Sequence, residues 1–541
     1  MLDYQELKEN FSWKEAEHFF NWQPGASINM AYLTCDRWAT ESDRIAIYWE
    51  DEAGNQQTWT YLQLMEQSNR LANGLQSMGI KKGDRVAGLL GKDMELIIAI
   101  LATWKVGAIY VPLFTAFETD AIMHRLNDSG AHLVITNKQQ VEKIADKAAT
   151  VQILLSDGLT NEGQTFWQFV ESFSTEHKMQ PTLETDPAVI QYTSGTTGLP
   201  KGAVLTHKGI ISLYPYTKFA LNLENDDIFF GGADLGWAYG LMACTFSPLS
   251  FGIPIVAYSG QFQVEKIYEL LDKYAVTNFT YAPTAYRMMK AAGKDLLKQY
   301  NLKVSKFSSA GEPLNGEVVR FFEKHFGRGI YDQYGSTETG MIVNNYNIID
   351  MCVKPGSMGF PIPGFKVELI DYQGNPVKQG ETGQIAVDST NDFFQFQTYW
   401  KNPQKAADKK LGRWFITGDL AKMDEDGYYW FQGRADDVIS SAGYRIGPTE
   451  VEDSLMSHPA VVETAVVGKP DETKGEIVKA FVVLNKGYNP SDELAEELSQ
   501  YVKKKLSKHQ YPREVEFLPE LPKTQSGKIQ RYMLRKMHVE Q

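Results

Sequence analysis

Gln191-Tyr-Thr-Ser-Gly-Thr-Thr-Gly-Leu-Pro-Lys-Gly202 is the stretch from which the rest of this chain is read. Thr193, Ser194, Thr196 and Thr197 supply hydroxyls, Gly195, Gly198 and Gly202 supply bare backbone, and Lys201 supplies a cation. Glycines accept positive φ, so successive N–H groups can turn toward one anion while hydroxyls and an ammonium complete the shell. The pattern is a phosphate cradle. An ATPase P-loop would need Gly-Lys-Ser/Thr beginning five residues after its first glycine; counting from Gly195, Pro200 stands where that second glycine should be and Gly202 follows Lys201 where Ser or Thr should be. The alternative, a polar surface turn, seldom combines this hydroxyl density with a placed lysine.

The chain has 541 residues, enough for three or four units at roughly 150 residues each. A net charge of −13 argues against a nucleic-acid or anionic-membrane surface and leaves small molecules as the expected partners. Cys35, Cys244 and Cys352 stand in no disulfide or zinc spacing. The N-terminus lacks the basic end and apolar core of a signal peptide. Leu235 to Val264 is uncharged, but Pro248, Gly252 and Pro254 interrupt it, so it reads as buried helix, turn and strand. The expectation is a cytoplasmic protein without a membrane span.

Around the cradle, strand and helix patterns alternate. Capping boxes are expected at Ser12–Glu15 and Thr60–Gln63, with Phe19, Phe20 and Trp22 anchoring an N-terminal arm. Strands 85–90, 108–113 and 132–136 and helices 95–105 and 120–126 predict a parallel sheet covered on both faces. Helices 209–219, 235–249 and 264–274 with strands 253–258 and 278–281 predict a second doubly wound unit. From about Gly356, hairpin signals at Asp371–Gly374 and Asp424–Gly427 predict a β-rich subdomain. Beyond Asp437 a helix at 450–456, strands 461–467 and 478–484 and a helix at 491–506 predict a compact α+β domain.

Four more stretches carry chemistry: Tyr331-Asp-Gln-Tyr-Gly-Ser-Thr-Glu-Thr-Gly340, Thr417-Gly-Asp419 with Gly433-Arg434, Ser440-Ser-Ala-Gly-Tyr-Arg445, and Lys523-Thr-Gln-Ser-Gly-Lys528. Singly, each reads as a solvated loop. In this order, after the cradle, they make the chain resemble the AMP-forming acyl-adenylate superfamily, and within it the acetyl-CoA and medium-chain acyl-CoA synthetases.

The resemblance implies an α/β fold: a large N-terminal domain, residues 1–433, of two doubly wound αβ subdomains plus a β-rich subdomain, a hinge at 434–437 centred on Asp436, and a small mobile α+β domain, 438–541. It implies an ATP-dependent carboxylate–CoA ligase working through acyl-AMP, with ATP, Mg²⁺ and CoA. Thr193 to Lys201 would hold the β- and γ-phosphates, Thr337 the α-phosphate and Glu338 the Mg²⁺. Gly311, Glu312, Pro313, Asp332, Gln333 and Tyr334 would recognise adenosine. Asp419 and Arg434 would hold ribose, and Arg445 would touch nucleotide in one arrangement. Lys528 would be the adenylation lysine, its acetylation an off-switch, with Lys523 a solvated neighbour. Gly443 would line the pantetheine tunnel, and Lys503 stands where acetyl-CoA enzymes carry an arginine for CoA. Asp371 and Asp424 read as plain turn residues.

The acyl pocket would involve Trp237, Ala238, Tyr239, Ala310 and Gly335. Acetate enzymes have a Trp-Trp pair where this chain has Tyr334-Gly335, and the second tryptophan closes their pocket. The expected acid is therefore larger than acetate: a straight or branched acid of roughly four to eight carbons, or an aromatic one, because steric exclusion outweighs about 0.8 kcal/mol per buried methylene. A relaxed turn at Gly335, with the floor supplied elsewhere, is the alternative reading. The competing functions are an acetyl- or propionyl-CoA synthetase, a carrier-protein loading enzyme and a catalytically silent acyl-AMP sensor.

Overall fold

A computed structural model of the chain describes residues 3–144, 151–159, 163–193, 200–312, 314, 316–349, 351–441, 444–471, 474–506, 510–523 and 529–537. The chain divides into two compact units, Met1–Lys366 with Asp388–Arg413, and Val367–Val387 with Trp414–Gln541.

The first unit holds two large, mainly parallel sheets. One runs, in spatial order, Phe396–Tyr399, Lys201–Thr206, Pro187–Thr193, Ile109–Pro112, Arg85–Leu89, Leu133–Thr136 and Gln152–Leu155. The other runs Phe360–Pro361, Gly340–Asn344, Tyr331–Ser336, Lys306–Ala310, Asn278–Tyr281, Phe229–Gly231, Ile255–Ser259, Ile45–Asp51 and Gln56–Thr60. Two doubly wound sheets were expected; the chain also interleaves them, sending its early hairpin at 45–60 to the second sheet and the strands flanking the cradle to the first.

The helices follow their local chemistry. Thr60 and Gln63 form the reciprocal capping box that starts Tyr61–Ser77, and Gly79 takes φ +86° just beyond its end. Met94–Lys105 is almost wholly buried. Its terminal Lys105 is tolerated because its ammonium meets Asp36 at 2.8 Å, Asn69 at 2.7 Å and the Met65 carbonyl at 3.2 Å. Ser12, by contrast, caps Trp13–Phe20 by accepting from Lys14 N–H alone. Glu15 does not complete the expected box, because its carboxylate receives the Tyr214 hydroxyl at 3.0 Å and pairs with Lys218. The arm is held by aromatic contacts: Trp13 stacks on Phe393 at 4.0 Å and donates to the Gly364 carbonyl at 3.0 Å, and Phe19 meets Phe251 at 4.5 Å.

The two helices expected at 209–219 and 235–249 are not regular. The first breaks into Gly209–Ser212 and a π-helix, Tyr216–Ala220; the second is a π-helix over Tyr239–Phe246 before Ser247–Ser250. Side-chain periodicity does not distinguish a 3.6-residue from a wider turn in a segment buried on all sides, and such turns concentrate at functional sites.

In the second unit, Val367–Ile370, Thr382–Asp388, Trp414–Met423 and Tyr429–Arg434 form an antiparallel sheet. A further sheet, Tyr444–Ile446, Ile439–Ser441, Gly475–Leu484 and Val461–Asp471 with Glu514–Phe517, packs with helices Pro448–Met456 and Asp492–Lys505 around Val451, Leu455, Val466 and Leu498.

Candidate functional site

The cradle is carried by a hairpin, not by a helix N-terminus. Pro187–Thr193 pairs antiparallel with Lys201–Thr206, Thr193 facing Lys201 and Tyr192 facing Gly202. Ser194, Gly195, Thr196, Thr197 and Gly198 lie outside the described residues. Both arms of the hairpin are tied to one helix, Thr119–Ser129: the Tyr192 hydroxyl donates to Asp128 at 2.6 Å, and His124 Nε2 lies 3.0 Å from the Pro200 carbonyl. Burial, reinforced by Asp128, pushes the Tyr192 phenol up, so it stays a donor. Gly202 must be bare, since a Cβ there would stand 2.6 Å from Ile190 and 3.3 Å from Trp400.

Glu338 sits in the turn joining two antiparallel strands, Tyr331–Ser336 and Gly340–Asn344, and hydrogen bonds between Ser336 and Thr339 fix that turn. The strand Phe396–Tyr399, paired to Lys201–Thr206, brings it toward the cradle. Tyr399 donates its hydroxyl to Glu338 at 2.7 Å, Gln395 donates to the Thr337 carbonyl at 3.1 Å, and the Lys201 ammonium lies 5.8 Å from the Tyr399 ring centre. Among the described residues no cluster of three or more His, Cys, Asp or Glu could hold a metal. A single carboxylate fits Mg²⁺, which keeps waters and takes most of its ligands from phosphate oxygens.

The adenosine candidates are set by two parallel strands, with Ala310 opposite Gln333 and Ser309 opposite Asp332. Asp332 is buried and accepts from Ser309 at 2.5 Å; burial raises its pKa to about 7. The Gln333 side chain faces inward, accepting from Tyr216 at 2.7 Å and donating to Ser308 at 3.2 Å. Gly311 takes φ +99°. Glu312 pairs with Arg287 at 2.6 Å. Pro313 is outside the described residues, and Tyr334 is half-buried beside a register shift in the hairpin.

In the second unit Asp419 and Arg434 face each other across two strands, with Arg434 Nη1 3.1 Å from Asp419 and its Nε 3.2 Å from Asp436. Gly418 and Gly433 beside them take φ +89° and +111°. Asp371 and Asp424 each accept backbone N–H groups within their own turns. Arg445 lies opposite Ser440 in an antiparallel pair. The Lys503 ammonium sits 4.9 Å from the Tyr511 ring centre, and Lys523 pairs with Glu463 at 2.8 Å. Gly443 and Lys528 lie outside the described residues.

Trp237 packs between Phe114 and Phe117, with ring centres 5.4 and 5.9 Å away. Ala238 precedes the π-helix that carries Tyr239, whose hydroxyl meets Tyr216 at 3.0 Å and Thr280 at 3.1 Å. At Gly335 the structure supplies a reason for glycine that differs from an open pocket wall. A Cβ there would stand 2.2 Å from the Gly340 carbonyl oxygen and 2.8 Å from Met341 Cα, so the tight hairpin itself demands a bare residue.

The AMP-binding enzyme family model matches residues 35–400, and the AMP-binding enzyme C-terminal domain model matches 450–528. The chain belongs to the AMP-binding enzyme family. It is 39% identical to the acetyl-coenzyme A synthetase of Bacillus subtilis over 99% of this chain and 95% of that protein, and 37% identical to the rat mitochondrial acyl-coenzyme A synthetase ACSM3 over 98% and 94%. Among solved structures, a Brucella canis acyl-CoA synthetase is 40% identical, with a TM-score of 0.78 over 100% of this chain and 99% of that one. A benzoate CoA ligase from Burkholderia xenovorans is 31% identical, with a TM-score of 0.83 over 94% and 99%.

This AMP-binding enzyme is an acyl-CoA synthetase, ligating a carboxylic acid to CoA through an acyl-AMP at the expense of ATP, with Mg²⁺. No described helix is long and apolar enough to cross a membrane. Sequence reasoning passed over Tyr399, Gln395, Asp128 and His124. None lies in a motif; a register linking 396–399 to 203–205 was the signal needed, and one chain read alone does not give it.

Proposed function

We propose that this enzyme activates a carboxylic acid larger than acetate, with the residues of its five motifs in the roles their family resemblance implies. The observation that carries the adenylation reading is the convergence of Lys201, Tyr399 and Glu338. A cation beside the cradle and an oriented carboxylate are what a departing pyrophosphate with its Mg²⁺ requires. Mg²⁺ would supply charge for the phosphates, and Glu338, whose carboxylate Tyr399 fixes by its hydroxyl, would hold it. Lys201 and the loop hydroxyls hold the β- and γ-phosphates, and Thr337 the α-phosphate. Asp332 and the Tyr334 ring take adenine, while Asp419 and Arg434 take ribose. Lys528 bridges the attacking carboxylate and the α-phosphate, offsetting the repulsion of two anions in a dry site.

In the second half-reaction we have residues 438–541 turn about 434–437 so that Gly443 admits pantetheine, with Lys503 near CoA. The match of a separate C-terminal family model at 450–528 supports treating that segment as its own module. Acetylation of Lys528 would remove the bridging charge and silence the first step. Free Cys35 and Cys244, both buried, and exposed Cys352 suit a reducing compartment such as the cytoplasm.

For the acid, the small side chains of Ala238, next to Trp237 in the chain, and of buried Ala310 support a pocket deeper than acetate needs, independently of Gly335. The test is ATP–pyrophosphate exchange across straight, branched and aromatic acids, followed by CoA consumption on the hits. Exchange confined to acetate and propionate would overturn the assignment of the acid; exchange with none would return the silent-sensor reading.

A further inference from the structure

The segment Gly231 to Tyr239, which carries the proposed acyl residues, has a polar end that the adenylation chemistry does not use. Lys92 follows the strand Arg85–Leu89 at its carboxyl end. Its ammonium donates at 2.7 Å to the carbonyl of Gly231, at the carboxyl end of Phe229–Gly231 in the other sheet. Ligands of parallel αβ sheets bind outside such strand ends. The Trp49 indole donates to the Lys92 carbonyl at 3.0 Å and fixes its backbone.

The segment beyond Gly231 is closely packed. Tyr281 packs against the segment, so close that a Cβ on Gly232 would fall 1.8 Å from its ring, and Phe114 presses on Gly236, where a Cβ would stand 2.8 Å from Phe114 Cα. Lys92, Asp234, Trp237, Tyr281 and Phe114 nevertheless all retain accessible surface. Burial lowers the Lys92 pKa and raises that of Asp234, so both charged groups are short of water.

Lys92 differs from the buried Lys105. Lys105 gives its ammonium three acceptors, one a carboxylate. Among the described residues Lys92 has the Gly231 carbonyl and no ion pair, leaving two donors unused. Asp234 spends one oxygen on the Gly236 N–H at 2.7 Å. Lys92 and Asp234 interact electrostatically yet are not within ion-pairing distance of each other, so a polar group between them would complete both. An anion there is opposed by Asp234 and a cation by Lys92. A hydroxyl suits both, accepting from the ammonium and donating to the carboxylate.

We infer that Lys92 is a specificity-determining residue of the acyl cleft, and that with Asp234 it selects acids bearing a hydroxyl remote from the reacting carboxylate. This rests on the proposed acyl site lying along Trp237 to Tyr239. A site built to bond a substrate hydroxyl discriminates strongly against its methyl isostere, since the protein's polar groups are otherwise left unpaired.

The experiment compares pyrophosphate exchange for hydroxy acids and their methyl isosteres, such as 5-hydroxypentanoate against hexanoate and 4-hydroxybutyrate against pentanoate, in wild type, Lys92→Met and Lys92→Gln. Wild type is expected to favour one hydroxy acid by at least about tenfold in kcat/KM. Lys92→Met should abolish or invert that ratio while the isostere is still activated, and that retained activity shows that the variant is folded. Activation of acids without a hydroxyl preference, or a ratio unchanged in both variants, overturns the inference and leaves the proposed function standing. Equal loss with both members of a pair in both variants also overturns it, because Lys92 then supports the cleft without choosing its ligand. Exchange with no acid removes the proposed function, and this inference with it.

Discussion

Tyr399 holds the carboxylate of Glu338 through its hydroxyl at 2.7 Å, from a strand paired to the one that begins with Lys201. Two motifs distant in sequence therefore meet through a residue belonging to neither. Glu338→Gln should lower adenylation about 10²- to 10³-fold and raise the Mg²⁺ concentration needed for half-maximal rate. Tyr399→Phe keeps the carboxylate and loses only its orientation, so roughly a tenfold fall is expected, rescued in part by excess Mg²⁺. Stopped-flow or pyrophosphate-exchange titrations with Mg²⁺ check both; a Tyr399→Phe enzyme with wild-type Mg²⁺ dependence would count against the positioning role.

The two half-reactions should separate by mutation. Lys528→Ala is expected to cut acyl-AMP formation by at least about 10²-fold and to spare thioester formation from supplied acyl-AMP. Gly443→Leu should do the reverse, because in the proposed tunnel a side chain there would obstruct pantetheine. Each half-reaction is measured alone, and equal losses in both would sink the model of two conformations sharing one hinge.

Asp332 predicts a pH effect on stability. Its folded pKa is raised to about 7 by burial, above the unfolded value of about 3.9. The protonated form is favoured by folding, so this group's contribution is full below about pH 4 and is lost as the pH rises through about 7. Asp332→Asn removes the titration. Relative to wild type, the variant should gain stability between pH 4 and pH 8, by at most about 4 kcal/mol. Urea melts of the ligand-free protein at the two pH values test this; a difference that does not change with pH would refute it.

Gly335→Ala should destabilise the hairpin by a few kcal/mol, because the added Cβ meets backbone that only a shift of the turn can clear. Activity should fall for every acid alike, with the chain-length optimum unmoved. A changed optimum at unchanged thermal stability would restore the wall reading.

These outcomes separate what the sequence made legible from what it did not. The parallel strands were readable because residues such as Ile109–Pro112 and Asn278–Tyr281 are buried on both faces and bounded by turns. The box at Thr60 and Gln63 was readable because capping is local, and Ser12 misled because a distant lysine, Lys218, claims Glu15. The motif residues could be named, but their neighbours could not. Asp128 beside Tyr192 and Tyr399 beside Glu338 are brought there by strand and helix packing, which leaves no periodicity in the chain. Gly335 was named for one reason and is held by another, since a backbone approach 2.2 Å from a would-be Cβ is invisible until the hairpin's register is known.

Arg434 donates at once to Asp419, the proposed ribose acceptor, and to Asp436, the proposed pivot. One guanidinium thus divides its donors between the carboxylate proposed to hold ribose and the carboxylate at the proposed hinge. If the chain turns at 436 as proposed, the turn would alter what Arg434 gives to Asp419, and by reciprocity a ribose held at Asp419 would bias the turn by the same free energy. Retention of AMP and rotation of the C-terminal segment would then form a single coupled equilibrium, in which the nucleotide leaves most readily from the arrangement that grips it least.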